Sequence, residues 1–327
     1  MKNKKSISVI ISLLAAVVIS ILPPPEGLAP EAMRFLGIFV GGIILLITAV
    51  VDNWVAALLM GAALVLTKVT NLNGVFAQFS QSTPWSLVMI FAFAAGIVNS
   101  RLMVRIAYKI LTVFPASYKG AVTALMAAGV ITGPLIPSGT AKLNILIPVA
   151  NQLTDTLGLE KGSSGARGLF AVNWLTCLIG SQTFTSGSAI VMILIGMMGA
   201  DGEGWGMLTW FKAAILWYII LLIGTYIYSA IICQPKNEQK FTKEFFQEKC
   251  DELGPMSFNE KITAVVLIAT IILWATVSIT KFDSNMIGFV AICALTIAGV
   301  MGTSDMVTKV PWTLIIFVGI IMGMSST

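Results

Sequence analysis

Two short stretches of this sequence hold residue types that could bind a small ion. The first is Ser138-Gly139-Thr140, with Lys142 just beyond it. The second is Gly180-Ser181-Gln182-Thr183, followed by Thr185-Ser186-Gly187-Ser188. The hydroxyls of Ser138, Thr140, Thr185, Ser186 and Ser188 can donate to a carboxylate, and carbonyls of unwound backbone can hold a cation. Asn144 and Asn173 either line the same cavity or bond across helices. The chain has no histidine, which removes Ser-His catalysis and His-ligated metals. Cys177, Cys233, Cys250 and Cys293 show no metal spacing and read as packing residues where they fall in apolar runs. No metal or organic cofactor is expected, with sodium as the one ion the site could use for coupling.

The elements that carry these stretches are apolar. Of 327 residues, 57% are hydrophobic and 11% charged, and the mean hydropathy is +0.92. Soluble domains carry about 25% charged residues, so the expected solvent for most of this surface is a lipid bilayer. A hydrocarbon core about 30 Å thick needs about 20 apolar helical residues. Such runs lie near 7–22, 33–51, 54–67, 85–99, 168–199, 210–233, 261–280, 285–301 and 310–325, with another at 121–150. The fold class is therefore an all-α polytopic membrane protein.

The net charge of +5 does not signal nucleic acid, because the basic residues are scattered among loops without interleaved aromatics. Alternating the spans from an inside N-terminus explains them instead. Fifteen basic residues then fall inside, four outside, and Lys142 alone sits within a membrane segment. That bias is the positive-inside rule. The apolar stretch after Lys2, Lys4 and Lys5 reads as a first span rather than a signal peptide, since Pro23-Pro24-Pro25 follows and no small-residue cleavage pattern is clear.

Residues 121–150 cannot form one straight span, because thirty helical residues would reach about 45 Å. Gly133, Pro134, Pro137 and Gly139 cluster at its centre, where proline removes a donor and blocks continuation. The expected shape is a re-entrant hairpin: Ala121–Ile136 in, a tip at Ser138-Gly139-Thr140, and Ala141–Ala150 out. The run 168–199 is broken in the same way at Gly180–Ser188, its second half starting near Ser188. Both breaks aim helix N-termini, with free N–H groups and the positive dipole end, at one region, which suits an anion. A lysine at membrane depth is costly and marks function; the alternative for Lys142 is snorkelling to the inner surface. Serine, threonine and glycine also serve plain helix packing in membranes.

An internal repeat is visible. TPWSLVMIFAFAAGI (83–97) aligns with VPWTLIIFVGIIMGM (310–324) at an offset of 227, matching Pro84 with Pro311 and Trp85 with Trp312. Five crossings separate the copies, so they enter from opposite faces, as inverted repeats do. At that offset, a partner for 138–140 would fall near 365–367, past Thr327. A fragment, or a truncated second repeat, is the expectation.

The stretch PSGTAKLNILIPVA resembles the tip of the divalent anion:sodium symporter family, whose signature there is Ser-Asn-Thr followed by alanine and a basic residue. Ser138, Thr140, Ala141 and Lys142 fit, and Gly139 stands in place of the asparagine. LGPMSFNEK (253–261) is similar to that family's connector before the seventh span, and the Pro-Trp repeat to its paired segments. The resemblance implies an elevator-type homodimer with a fixed scaffold and a moving transport domain. It assigns scaffold spans to 1–114, a first-repeat transport region to 115–233 (hairpin 121–150, broken helix 168–199, span 210–233), a cytoplasmic linker to 234–260, and further scaffold with the start of a second repeat to 261–327. It also implies that Ser138, Gly139 and Thr140 hold substrate, and that Ser138, Gly180, Ser181 and Gly187 would cradle sodium.

The reading that follows is a multi-pass carrier of small organic anions in an inner or plasma membrane, N-terminus cytoplasmic, with Ser138, Gly139, Thr140, Lys142, Asn144, Thr185, Ser186 and Ser188 at the substrate. A positive charge at Lys142 disfavours sodium and serves an anion, so exchange of one carboxylate for another is expected, with sodium-coupled symport as the alternative. Proton or cation transport lacks intramembrane carboxylates, and an intramembrane enzyme would need a Ser–Lys pair.

Overall fold

The computed structural model describes residues 2–136, 138–202, 204–236 and 243–324. Its regular elements, among the described residues, are all helical. In chain order they are α1 (Lys2–Ile21), α2 (Pro30–Thr48), α3 (Asn53–Leu66), α4 (Leu72–Phe76), α5 (Ser82–Asn99), α6 (Leu102–Val113), α7 (Tyr118–Thr132), α8 (Gly139–Thr156), α9 (Ser164–Trp174), α10 (Ala189–Met197), α11 (Met207–Tyr226), α12 (Lys243–Glu252), α13 (Phe258–Ala275), α14 (Val277–Thr280), α15 (Ser284–Ile297), α16 (Thr303–Thr308) and α17 (Trp312–Met324). Four stretches, Pro30–Thr48, Ser82–Asn99, Met207–Ile232 and Phe258–Ala275, are long and apolar enough to cross a membrane.

The chain forms two compact units, one of Met1–Val88 with Pro311–Thr327 and one of Met89–Val310. In the first, small residues set the spacing. Gly37 and Gly41 let α1 lie against α2, and Ser12 Oγ donates to the Gly41 carbonyl at 2.7 Å. Gly319 and Gly323 of α17 leave room for the Phe79 ring and the Val75 carbonyl. Such close approach is how helices associate where lipid supplies no hydrophobic drive. Ile38, Ala57, Met60, Leu64, Val75, Ile320 and Met324 fill the core between them.

The second unit is built around Tyr118, Leu125, Leu153, Leu169 and Val172, all fully buried. A π turn follows α11, so the Cys233 amide bonds the Tyr228 carbonyl at 2.9 Å instead of that of Ser229. The freed Ser229 carbonyl takes the Tyr118 hydroxyl at 2.9 Å. In the first turn of α6, the Arg105 guanidinium donates to Glu260 Oε1 at 2.7 Å and to the Gly254 carbonyl at 2.8 Å. Ser257 and Glu260 form a capping box that starts α13. The chain between α12 and α13 is thereby folded around one cation.

The order of elements recurs. α2 and α13 have 19 and 18 residues, α3 and α15 have 14 each, and α4 and α16 have 5 and 6. Asp52 and Asp283 precede α3 and α15 as N-caps. Lys68 and Gly299 both take left-handed φ (58° and 76°) just past those helices. Val69 N and Val300 N then close back on Leu64 and Leu295 carbonyls at 3.0 and 2.9 Å. These pairs share one spacing, wider than that of the Pro-Trp pair because a 4-residue 3-10 turn, Ala77–Ser80, lies before α5 only. The recurrence is thus broader in backbone than in sequence.

Four expectations shift. The second hairpin arm continues past Ala150 to Thr156 despite Pro148 inside it, and the broken helix starts at Ser164 rather than 168. The stretch after Arg101 is not a loop: α6 buries Leu102, Arg105, Tyr108 and Leu111 on one face, a period of three that basic residues at Arg101 and Lys109 obscured. The linker 234–260 likewise contains α12. Pro137, Lys240 and the positions past Met324 lie outside the described residues.

Candidate functional site

Both interrupted segments lie in the second unit. α7 starts on its N-cap Ser117, runs 15 residues, and ends at Gly133. The chain turns through Pro134, and Ser138 caps α8 by accepting the Ala141 amide at 3.2 Å. A helix of 15 residues reaches about 22 Å, short of a full crossing. The second segment passes from α9 through a π turn (Leu175–Ile179) and two 3-10 turns (Gly180–Thr183, Thr185–Gly187) into α10. Ser188 is the N-cap residue of α10, and no side chain caps that helix.

Lys142 joins the two breaks. Its side chain is 0% exposed, and Nζ donates to the Gly133 carbonyl at 2.8 Å and the Gly187 carbonyl at 3.1 Å. One carbonyl belongs to the end of α7, the other to the turn before α10. Ser186 Oγ adds a third tie, donating to the Pro134 carbonyl at 2.8 Å. Lys142 does not snorkel outward. Among the described residues it forms no ion pair, in contrast to Arg34, Arg105 and Lys309. Carbonyl dipoles offset part of the cost of burying an ammonium but supply no countercharge.

Two glycines make this approach possible. A Cβ on Gly139 would stand 3.1 Å from Leu178 Cα and 3.2 Å from the Cys177 carbonyl, so the start of α8 rests directly on backbone of the π turn. A Cβ on Gly187 would meet the Gly133 carbonyl at 2.4 Å and that of Ser181 at 2.6 Å. Any side chain at either place forces the two segments apart.

Of the residues singled out in the sequence, the structure gathers Ser138, Gly139, Lys142, Ser181, Ser186 and Gly187 by these contacts. Gly180 belongs to the same turn, bonding its amide to the Leu175 carbonyl. Thr185 and Ser188 are buried in that turn. Thr140 is exposed at the start of α8. Asn144 is not brought to Lys142: it is exposed, and two residues of helix turn it about 200° away. Ser186 has its proton engaged by Pro134 rather than free for a ligand, and Lys142 holds carbonyls rather than a serine, so no Ser–Lys pair forms.

Of the other side chains around the break, the sequence singles out Asn173, and Thr183 within its polar stretch, but gives no sign of the contacts of Cys177, Trp210 and Tyr218. Cys177 Sγ donates to Asn173 Oδ1 at 3.4 Å. Asn173 Nδ2, Thr183 Oγ1 and the Tyr218 hydroxyl are buried and meet no hydrogen-bond partner among the described residues. Trp210 Nε1 of α11 donates to the Gln182 carbonyl at 2.9 Å. The available signal was the aromatic density of Trp210, Phe211 and Tyr218 opening α11, which reads equally as a membrane-interface belt.

The site is a cluster of donors around one buried lysine at two helix starts, and among the described residues no carboxylate pairs with it. Free amides and the positive dipole end at a helix start favour negative charge. Residues 3–327 match the family described as the sodium:sulfate symporter transmembrane region. The chain is 28% identical over 322 residues to dicarboxylate transporter 1, chloroplastic, of Spinacia oleracea, covering 96% of this chain and 57% of that protein. It is 25% identical to dicarboxylate transporter 2, chloroplastic, of the same plant, covering 98% and 60%. It is 26% identical to the inner membrane protein YbhI of Escherichia coli (strain K12), covering 99% and 71%. The chain thus spans rather more than half the length of the chloroplastic relatives.

Proposed function

The chain belongs to the sodium:sulfate symporter transmembrane family, and from that premise we propose that it carries small dicarboxylate anions across a membrane, exchanging one for another. The observation that carries this reading is the Lys142 ammonium, buried on two carbonyls with no ion-pair partner among the described residues. A site with a fixed, unneutralised charge is costly to move through a low-dielectric region. With an anion bound, that charge is compensated. Both legs of the cycle then run with a substrate aboard, which is exchange rather than net uptake. The substrate class follows the names of the chloroplastic relatives, and the free first-turn amides of α10 suit a carboxylate.

The recurring order α2–α5 and α13–α17, together with the five crossings traced from the sequence between its Pro-Trp segments, supports an inverted repeat. An elevator-type movement in a homodimer, in an inner membrane with the N-terminus cytoplasmic, goes with it. Sodium-coupled symport is the second reading, favoured by the Gly133 and Gly187 carbonyls, which would suit Na⁺ if the ammonium were gone.

The test is exchange of labelled dicarboxylate by the protein in liposomes. Exchange should proceed without a sodium gradient and be lost in Lys142→Ala. Uptake that requires Na⁺ and tolerates Lys142→Ala overturns the proposal. Activity of Lys142→Ala restored only by Na⁺ would assign the carbonyl pair to a cation and place Lys142 as its built-in substitute.

A further inference from the structure

The Gly133 carbonyl is held by Lys142, and an aromatic ring is pressed against the same residue. Phe184 lies between the two 3-10 turns, in extended conformation (φ −117°, ψ 130°). Its amide bonds the Ser181 carbonyl at 3.2 Å, and its own carbonyl accepts the Gly187 amide at 3.0 Å. The ring faces Gly133 so closely that a Cβ there would stand 2.8 Å from Cε2 and 3.1 Å from Cδ2. The ring is fixed in turn by α11. Phe211 stacks on it at 5.5 Å and 20°, and Tyr218 meets it edge-on at 5.8 Å and 84°. Tyr218 also packs on Gly180, and Trp210 holds the Gln182 carbonyl.

We propose that Phe184 is the positioning residue of the ion site: its ring, backed by Phe211 and Tyr218, sets the distance between the end of α7 and the turn before α10, and so sets where the Lys142 ammonium rests. The argument is one of stiffness. Two carbonyls attract the same ammonium, so nothing in that contact alone fixes their separation. An aromatic ring is a rigid spacer, and packed interiors transmit displacements of a few tenths of an ångström. A glycine at 133 is required because the ring occupies the space of any Cβ. The inference rests on the reading that the Lys142 region handles the anion, and it adds that α11 governs affinity without offering the ligand a side chain.

The experiment is dicarboxylate exchange in liposomes, reading apparent KM and maximal rate, with melting temperature in detergent alongside. Gly133→Ala pushes the ring away and Phe184→Val withdraws it. Each should raise KM about tenfold, as sub-ångström misplacement of a binding group does, with the maximal rate less affected. The double variant, in which the smaller residue accommodates the added methyl, should bring KM back toward wild type. Phe184→Leu, a milder change, should lie between wild type and Phe184→Val if the latter folds poorly. Variants that lower the melting temperature with KM unchanged, or a double variant whose KM defects add, overturn the positioning role. Those outcomes leave the site reading intact as long as Lys142→Met abolishes exchange; normal exchange by Lys142→Met would sink that reading instead.

Discussion

Arg105 and Lys142 are both buried cations of the second unit, and their surroundings differ in one respect. Arg105 is 9% exposed and meets Glu260, itself 5% exposed, with backbone carbonyls of Leu253 and Gly254 completing its fork. Among the described residues, the Lys142 ammonium meets two carbonyls and no carboxylate. The first arrangement is electrically closed: a charge, its countercharge and enough acceptors to satisfy a guanidinium. The second is open, since dipoles solvate an ammonium without cancelling it. A closed pair needs nothing more and serves the fold. An open charge at a helix break leaves its compensation to something that arrives, and so the same chemical feature separates a latch from a binding site.

The comparison breaks if the two residues respond alike to substitution. Lys142→Met keeps the length and volume of the side chain and removes the charge. Exchange should fall by about two orders of magnitude or more, as loss of a buried charge partner does. The melting temperature in detergent should hold or rise, because a buried charge without a countercharge is replaced by an apolar group of similar shape. Arg105→Met should do the reverse. It strands the Glu260 carboxylate and should cost about 3 kcal/mol of stability, read as a lower melting temperature, while the protein that remains folded exchanges with nearly unchanged KM. Adding Glu260→Gln to Arg105→Met, which keeps the capping box with Ser257, should recover much of that loss, since no buried charge is then left unpaired. A Lys142→Met protein that melts far below wild type would make Lys142 a latch as well.

Glycine substitutions sharpen the same point from the neutral side. Gly139→Asn writes into this chain the residue that its resemblance to Ser-Asn-Thr tips would call for. The Cβ alone meets Leu178 and Cys177 backbone at 3.1–3.2 Å, so the start of α8 must lift from the π turn. Overpacking of this kind costs about 1–3 kcal/mol. Exchange should drop at least several-fold, with a rise in KM as Lys142 loses reach to Gly187. Wild-type KM in Gly139→Asn would show that the tip and the break are not seated on each other when the protein works.

What the sequence made legible was the punctuation. Gly133, Pro134 and Gly139 interrupt one apolar run, and Gly180 to Ser188 another, because these residues break helices whatever surrounds them. Lys142 stood out because a charge in an apolar run has few explanations. The partners were not legible. Nothing local says that the Lys142 ammonium reaches Gly187, 45 residues away, or that Arg105 meets Glu260, 155 away. Backbone carbonyls carry no signature in sequence at all, and Phe184 reads as one more apolar residue. α6 was missed because its period of three is short and is overlaid with basic residues. The recurrence of α3 and α4 in α15 and α16 was hidden for a related reason: what repeats is a left-handed turn, filled once by Lys68 and once by Gly299.

Lys309 supplies the third case, a paired cation at the surface, and the smallest expected effect. It is half exposed and bonds Asp305 Oδ1 at 2.9 Å, while Asp305 Oδ2 accepts the Gly302 amide at 2.8 Å. Asn99 also bonds Lys309, and its amide donates to the Val300 carbonyl at 3.2 Å. The Lys309 contact first, then the Gly302 amide and Asn99, hold the Asp305 carboxyl down to about 2. A depressed carboxyl contributes stability that is whole above its unfolded value of about 3.9 and is lost as pH falls toward 2. Asp305→Asn should therefore lower the melting temperature slightly at neutral pH, by less than about 1 kcal/mol for a pair this wet. The gap between variant and wild type should narrow from pH 4 downward and close near pH 2. A gap independent of pH would mean that Asp305 acts through its cap on Gly302, which asparagine weakens at any pH, and not through its charge. Arg105, with its countercharge shut away from solvent, should show no such sensitivity to added salt, whereas the Asp305 gap should shrink as salt screens it.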